Sequence, residues 1–415
     1  MEKEKLSAYR DLRVTAYRKK YEPALIYGGK TFQFSALLNR AEYAYNTFTQ
    51  MGVLPGERVC LWLPNCPDLL ASFYGLSRLG AIGVLSHPQD TPREVRMQME
   101  ATESKLLITT AGRYELYCRN EEELTPGRLI LCRPESDMKG WEKRAFLQGE
   151  RSEPEEDAKG YLLEELMEEN RYNALETPFG DERQEAVILC GTSSFLQPRF
   201  ITYLPQELSN TAAEFWRRRE QVSAVYVENS FATEGGFLAA HSALTAGKTL
   251  IWSVSDPFKM LKKTRPDLLV ATEEFFWELR QRTEFFGKKW ENLQGGIQIG
   301  KELTPLMEKF AGKAIKAMGG SGSLTGSPVP LKVRKEILYF TKDFGIRLGD
   351  MEQELTRLPG IAKCKCLADG SGIRLRVLPN GKEPVSGLGR ALVACCKREM
   401  NLLHLPKSVE FCSVL

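Results

Sequence analysis

The sequence predicts an α/β protein: a large N-terminal domain of parallel-sheet α/β layers followed by a small α+β C-terminal domain. Three patterns carry this reading. Short, near-continuous apolar runs such as Val59-Cys60-Leu61-Trp62-Leu63 and Ala186-Val187-Ile188-Leu189-Cys190 punctuate the first 270 residues, as strands buried on both faces do. Between them lie stretches whose apolar residues recur at helical spacing. Beyond about residue 335 the alternation gives way to a single helix–strand–helix pattern.

Taken in order, Ala24–Tyr27 reads as a short strand, Gly28-Gly29 as a hairpin turn and Thr31–Phe34 as its return strand. Ser35 is placed to cap a helix whose apolar positions are Leu37, Leu38, Ala41, Ala44, Tyr45 and Phe48, with Gly52 as its stop. Val59–Leu63 is the next strand, Pro67 opens a helix that ends at Gly80, and Ile82–Leu85 and Leu106–Thr109 are further strands. Strand–helix–strand alternation of this length implies a parallel sheet covered by helices. Residues 113–185 are acidic, with Glu121-Glu122-Glu123 and many carboxylates from Glu150 to Glu169, and read as an insert of solvated helix and flanking loops. Alternation resumes at Ala186 and continues through Leu250–Trp252 and Leu268–Val270. The Gly/Ser run at 319–323 marks a loop or boundary. Met351–Leu358 reads as a helix, Ile373–Val377 as a strand and Arg390–Glu399 as a helix. The domain reading is therefore 1–332 for the large domain, 333–345 for a hinge and 346–415 for the small domain.

Composition narrows the partners. Hydrophobic residues make up 42% of the 415 and charged residues 27%, which suits a folded globular chain. The formal net charge of +3 gives no reason to expect nucleic acid or an anionic membrane as a partner. Met1-Glu2-Lys3-Glu4-Lys5 has no apolar core behind it, so no secretory signal is expected there. No run of eighteen apolar residues occurs, and the expected setting is cytoplasmic. The ten cysteines include no CxxC pair and histidines number three, so free buried thiols are expected and no protein-held metal.

The stretch Lys30–Val95, which includes Gly52-Val53, Pro55-Gly56, Leu63-Pro64-Asn65 and Gly80-Ala81-Ile82, resembles the opening of the adenylate-forming superfamily of acyl-CoA synthetases, adenylation domains and luciferases. The likeness continues through Glu228–Trp252, Asp256–Leu279, Leu293–Phe310 and the hinge-like Val333–Cys364, and ends at Leu402–Phe411. It implies an AMP-binding fold, here without the small β-rich subdomain, since only Pro328–Lys332 separate the Gly/Ser run from the hinge-like segment.

Carboxylate activation brings a carboxylate to the α-phosphate of ATP, so the protein must cradle phosphate and offset negative charge. The resemblance assigns the phosphate loop to residues 190–200, with Thr192, Ser193 and Ser194 as hydroxyl donors and Arg199 where the family has Lys. Ser193, Leu196 and Phe200 stand where the family has glycine, and side chains there would crowd backbone amides that must approach phosphate closely. The same segment also fits an ordinary strand-to-helix loop. Arg334 matches the hinge Arg and offers a phosphate contact or a surface ion pair. Ala232, Gly235, Gly295 and Gly296 are the acyl-pocket candidates, Ala232 replacing the family's aromatic or His. No Asp or Glu occurs between Glu308 and Glu336, where the family places its magnesium-binding acid. The family's C-terminal Lys lies in a Gly-Lys turn beyond a strand like Leu402–Phe411, and no such turn follows here.

The expectation is a divergent, catalytically impaired acyl-CoA synthetase-like protein that binds a small carboxylic acid or acyl thioester, a carrier protein or a partner ligase. Two alternatives stand beside it. One is an active acid–thiol ligase using ATP, magnesium and coenzyme A with Arg199 and Arg334 in place of lysines; the other is a scaffold subunit of a biosynthetic complex.

Overall fold

A computed structural model of the 415-residue chain describes residues 6–120, 128–149, 160–172, 184–191, 199–216, 219–282, 293–299, 309–310, 313–318, 338–341, 344–369, 372–381, 388–389, 392, 406 and 408–413. Two large sheets organise the described residues. The first orders its strands Lys309–Phe310, Lys313–Met318, Gly295–Ile299, Leu268–Thr272, Ala224–Val227, Thr249–Ile251, Pro23–Tyr27 and Lys30–Gln33. The second runs Tyr161–Leu162, Arg128–Cys132, Leu106–Thr110, Arg58–Trp62, Ile82–Leu85, Val187–Gly191 and Arg199–Tyr203. In each sheet the interior pairings are parallel; antiparallel pairs close both edges of the first sheet and one edge of the second, whose other edge strand, Tyr161–Leu162, pairs in parallel.

Alternation along the strands explains the layering. Val59 and Leu61 join one large core together with Ala24, Leu25, Val225, Val227, Leu268 and Val270 of the other sheet. Cys60 and Trp62 point the other way, onto Val95 and Met99 of the helix Pro92–Thr102. Tyr226, Ile251, Leu269 and Ala271 likewise pack outward against the helices Pro257–Thr264 and Glu273–Arg280. Helices Phe34–Gln50, Pro67–Leu79 and Glu234–Thr245 lie in the shared core between the sheets. The α/β reading of the sequence is borne out.

Two of those central helices approach closely at Gly75. A Cβ there would come within 2.9 Å of Ala44 Cβ and Tyr45 N and 3.0 Å of Ala41 O. Beside this contact, Arg40 pairs with the buried carboxylate of Asp68 and, at 2.7 Å, with Asp137. Lys30 adds a 3.5 Å contact to Asp137, so the group ties the edge hairpin of the first sheet to the turn Pro134–Asp137 that follows a strand of the second.

Local differences from the sequence reading have physical causes. The helix begins at Phe34, with Gln33 as N-cap and no side-chain cap, so Ser35 sits inside its first turn. Phe34 is fully buried, and that burial fixes the start where the hydroxyl of Ser35 would have set it one residue later. Segment 113–185 holds more than solvated helix: the apolar run Leu129–Cys132 forms a strand paired with Leu106–Thr110. Leu338–Thr341 and Phe344–Arg347 pair antiparallel across the boundary between the segment read as a hinge, 333–345, and the small domain. The C-terminal sheet combines Ile361–Asp369, Gly372–Pro379 and Ser408–Phe411. Its buried face shares a core with Leu348, Met351 and Leu355 of the helix Leu348–Thr356, and Cys364 and Cys366 lie in that core as free thiols. Most of the helix read over 390–399 lies outside the described residues, as do the Gly/Ser run and residues 319–337. Among the described residues no helix is long and apolar enough to cross a membrane.

Gly75→Val is expected to lower stability by about 1–3 kcal/mol, because the added carbons meet backbone and Ala44 in a packed layer. Urea unfolding followed by far-UV circular dichroism measures it; an unchanged midpoint would show that the helices separate freely.

Candidate functional site

In open parallel α/β sheets, ligands collect beyond the carboxyl ends of the strands, and several of the sequence-selected residues lie there. Strand Val187–Gly191 ends beside the start of Arg199–Tyr203, with Gly191 opposite Arg199. Residues 192–198 therefore connect two antiparallel strands, not a strand and a helix. Thr192, Ser193 and Ser194 lie outside the described residues, as does Arg334. Arg199 opens the second strand, at the base of this loop.

The other half of the site follows strand Ala224–Val227. Ser230 carries a tight turn: its carbonyl accepts from Thr233 N at 3.0 Å and from Thr233 Oγ1 at 2.7 Å. Its hydroxyl accepts from Ala232 N at 3.2 Å. Thr233 then caps the helix Glu234–Thr245 by accepting from Gly236 N. A Cβ on Gly236 would stand 2.0 Å from Ser230 O, so only glycine lets the first helical turn close against this carbonyl. Ala232 and Gly235 are both buried in this turn, and Ala232 brings no group that donates, accepts or titrates. Gly295 and Gly296 do not join them. They open their strand and stand level with Leu268 and Leu269, which pair in turn with Val225 and Tyr226. In parallel register that is the amino end of the sheet, opposite to the end from which the Ala232 turn departs. The pair begins a strand because Ile297, Gln298 and Ile299 continue the pairing beyond it.

Three polar residues that the sequence reading passed over connect these pieces. Asn65, at the exit from strand Arg58–Trp62, accepts from Phe231 N at 2.7 Å and donates to Asn229 O at 2.9 Å. Tyr203 donates its hydroxyl to Glu234 Oε1 at 2.6 Å, joining the strand Arg199–Tyr203 to the first turn of the helix Glu234–Thr245. Leu63-Pro64-Asn65 was visible as a turn, and its Asn was the one signal available.

Burial governs the electrostatics. Desolvation raises the Glu234 carboxyl above its ordinary range, an effect the Tyr203 hydrogen bond opposes. Next to strand Ile82–Leu85, Ser86 donates to Gln98 at 2.6 Å, Gln98 donates to Asp90 at 2.9 Å, and His87 N donates to the same Asp90 oxygen. Burial pushes Asp90 well up, and the nearby Glu94 adds to the rise. Cys60, which contacts Ser86, is pushed up to about 12 and Cys190 is raised too, both by desolvation, so neither thiol is a ready nucleophile. His241 is fully buried, meets the Tyr74 hydroxyl at 3.1 Å and drops to about 4 through desolvation. It is a neutral core histidine stacked on Phe237.

Among the described residues no group of three or more His, Cys, Asp or Glu is arranged to hold a metal ion. A model of the AMP-binding enzyme family matches residues 12–320. The chain belongs to that family. 4-Coumarate–CoA ligase 1 of Petroselinum crispum is 34% identical over 83 residues, 20% of this chain and 15% of that protein. Crotonobetaine/carnitine–CoA ligase of Salmonella paratyphi B is 30% identical over 88 residues, 21% of this chain and 17% of that protein. The match thus spans less than a fifth of either relative. Among solved structures, the amide bond synthetase McbA of Marinactinospora thermotolerans superposes with a TM-score of 0.72 at 13% identity, covering 99% of this chain and 96% of that one. A double mutant of o-succinylbenzoate CoA synthetase from Bacillus subtilis gives 0.71 at 12% identity, with 99% and 96% covered. At such identities the likeness speaks to the fold.

The Glu234 environment makes a pH prediction. The native carboxyl keeps its proton to higher pH than the unfolded one, whose ordinary value is 4.5, so wild-type stability falls as pH rises through that window. Glu234→Gln keeps an acceptor for Tyr203 and removes the desolvated charge. Its stability relative to wild type is expected to improve between pH 4 and pH 8 in urea unfolding; a pH-independent difference would contradict this assignment.

Proposed function

We propose that the protein binds a small carboxylic acid, or the acyl group of a thioester, at the turn 229–236, and is impaired in forming an acyl adenylate. The single observation that carries this reading is the pairing of an ordered acid-side turn with a charge-poor nucleotide side. The turn is built from Asn65, Ser230, Thr233 and Gly236. Magnesium takes carboxylate and phosphate oxygens, and the chain has no Asp or Glu from residue 309 to 335. Burial raises Asp90 and Glu234, two acids that lie near strand ends, toward their neutral forms. These residues do not fit a magnesium–ATP complex, and no step is routed through one. A carrier protein or an active ligase that takes up the bound acyl group completes the reading. Calorimetric titration with benzoate, 4-coumarate and octanoate, beside a pyrophosphate-release assay with ATP, magnesium and coenzyme A, tests it. Binding of at least one acid with no turnover is expected; turnover at about 1 per second, an ordinary enzymatic rate, would overturn the impairment.

One observation favours a second reading, an active acid–thiol ligase. Arg199 pairs with Gly191 beside segment 192–198 and brings a permanently charged guanidinium, a group suited to phosphate, to that position in the sequence. On this reading Arg199→Ala lowers ATP-dependent turnover by about 10²-fold, the usual cost of one charge-stabilising donor. Steady-state kinetics of the variant decides it, and unchanged turnover would remove Arg199 from the reaction.

A further inference from the structure

Among the described residues the two sheets exchange no strand-to-strand pairing; each has its own edge strands. At the carboxyl end of strand Arg58–Trp62, however, one side chain of the second sheet's segment does what a neighbouring strand would do. Asn65 accepts the Phe231 N–H and donates to the Asn229 carbonyl, at 2.7 and 2.9 Å. A carboxamide is suited to this because it offers an acceptor and donors from one planar group, whereas Asp accepts only and Ala does neither. The bonded backbone belongs to the turn that carries Ala232, which is closed internally by Ser230, Thr233 and Gly236. A turn closed on itself keeps its shape, but needs an outside anchor to keep its place.

We infer that Asn65 is a positioning residue for the acid site: its carboxamide sets where the turn 229–233 stands relative to the second sheet, and so sets affinity for the carboxylic acid. The inference rests on the acid-binding reading above. Tyr203 and Glu234 make the neighbouring tie, from the strand Arg199–Tyr203, so the helix stays attached when Asn65 is changed. The effect is therefore confined to the turn and does not spread to the fold.

The test uses the full chain as wild type, Asn65→Ala and Asn65→Asp. Calorimetry gives the dissociation constant for whichever of benzoate, 4-coumarate and octanoate binds wild type, and separately for ATP. Asn65→Ala is expected to weaken acid binding about tenfold, the usual effect of losing hydrogen bonds of this kind, with ATP affinity unchanged. Asn65→Asp keeps the acceptor for Phe231 and is expected to fall between the two. Amide hydrogen exchange should rise in the peptide spanning 228–236 and stay level in the strand Ala224–Val227. Equal acid affinity in wild type and Asn65→Ala would overturn the positioning role while leaving the acid-binding reading intact. A parallel loss of acid affinity and unfolding midpoint, equal in Ala and Asp variants, would overturn it by making Asn65 a purely structural residue. Absence of acid binding by wild type would overturn the acid-binding reading and this inference with it.

Discussion

One layer of helices serves two sheets, and the arrangement of the candidate site follows from that. Pro67–Leu79 is buried along nearly its whole length, with Phe73, Tyr74 and Leu76 fully enclosed. Glu234–Thr245 is equally buried, and Phe237, His241 and Phe231 pack around Phe73 at centroid separations of 5.3 to 6.3 Å. Each large apolar side chain moved out of water contributes about 1.5–3 kcal/mol, and here the same side chains cover the inner faces of both sheets. Neither sheet could keep its inner face dry without the helices that also belong to the other. The shared layer brings the exit of strand Arg58–Trp62 and the exit of strand Ala224–Val227 within reach of a single Asn side chain.

The parts of this fold that were legible in the sequence are those decided by local pattern. Gly80 caps the helix Pro67–Leu79 in the left-handed region, and the runs at Val59, Ile82, Leu106, Val187 and Leu268 all became parallel strands. The expected helix start at Ser35 failed because a hydroxyl contributes about 1 kcal/mol as a cap, less than the burial of Phe34. The strand Arg128–Cys132 was hidden by its acidic neighbours, although Leu129, Ile130 and Leu131 are as apolar as the other strands.

The site was less legible, for a different reason. Asn65 lies 166 positions from Phe231, and Tyr203 lies 31 from Glu234. Their roles exist only once the helical layer has folded, and no periodicity in either segment announces them. Ala232, named as an acyl-pocket candidate, lies in a turn whose form its neighbours Ser230, Thr233 and Gly236 give. Gly295 and Gly296 open a strand at the amino end of the sheet, a register that their local Gly-Gly pattern does not announce.

Burial sets the charge of the acids around the candidate site. Burial raises Asp68, Asp90 and Glu234 alike, and Asp68 has Arg40 as its counter-ion. Asp90 accepts from Gln98 and from a backbone amide, and Glu234 accepts from Tyr203. A carboxyl held toward its neutral form in such a network connects neighbouring groups well and gathers a divalent cation poorly. Asp68, Asp90 and Glu234 therefore act as joints between neighbouring groups. Positive charge is equally sparse in the joined pieces, where Arg199 at the foot of loop 192–198 is the cation nearest in sequence to the hydroxyls of Thr192, Ser193 and Ser194. Shape in this region comes from the ordered turn at 229–236, whose form rests on Asn65, Ser230, Thr233 and Gly236.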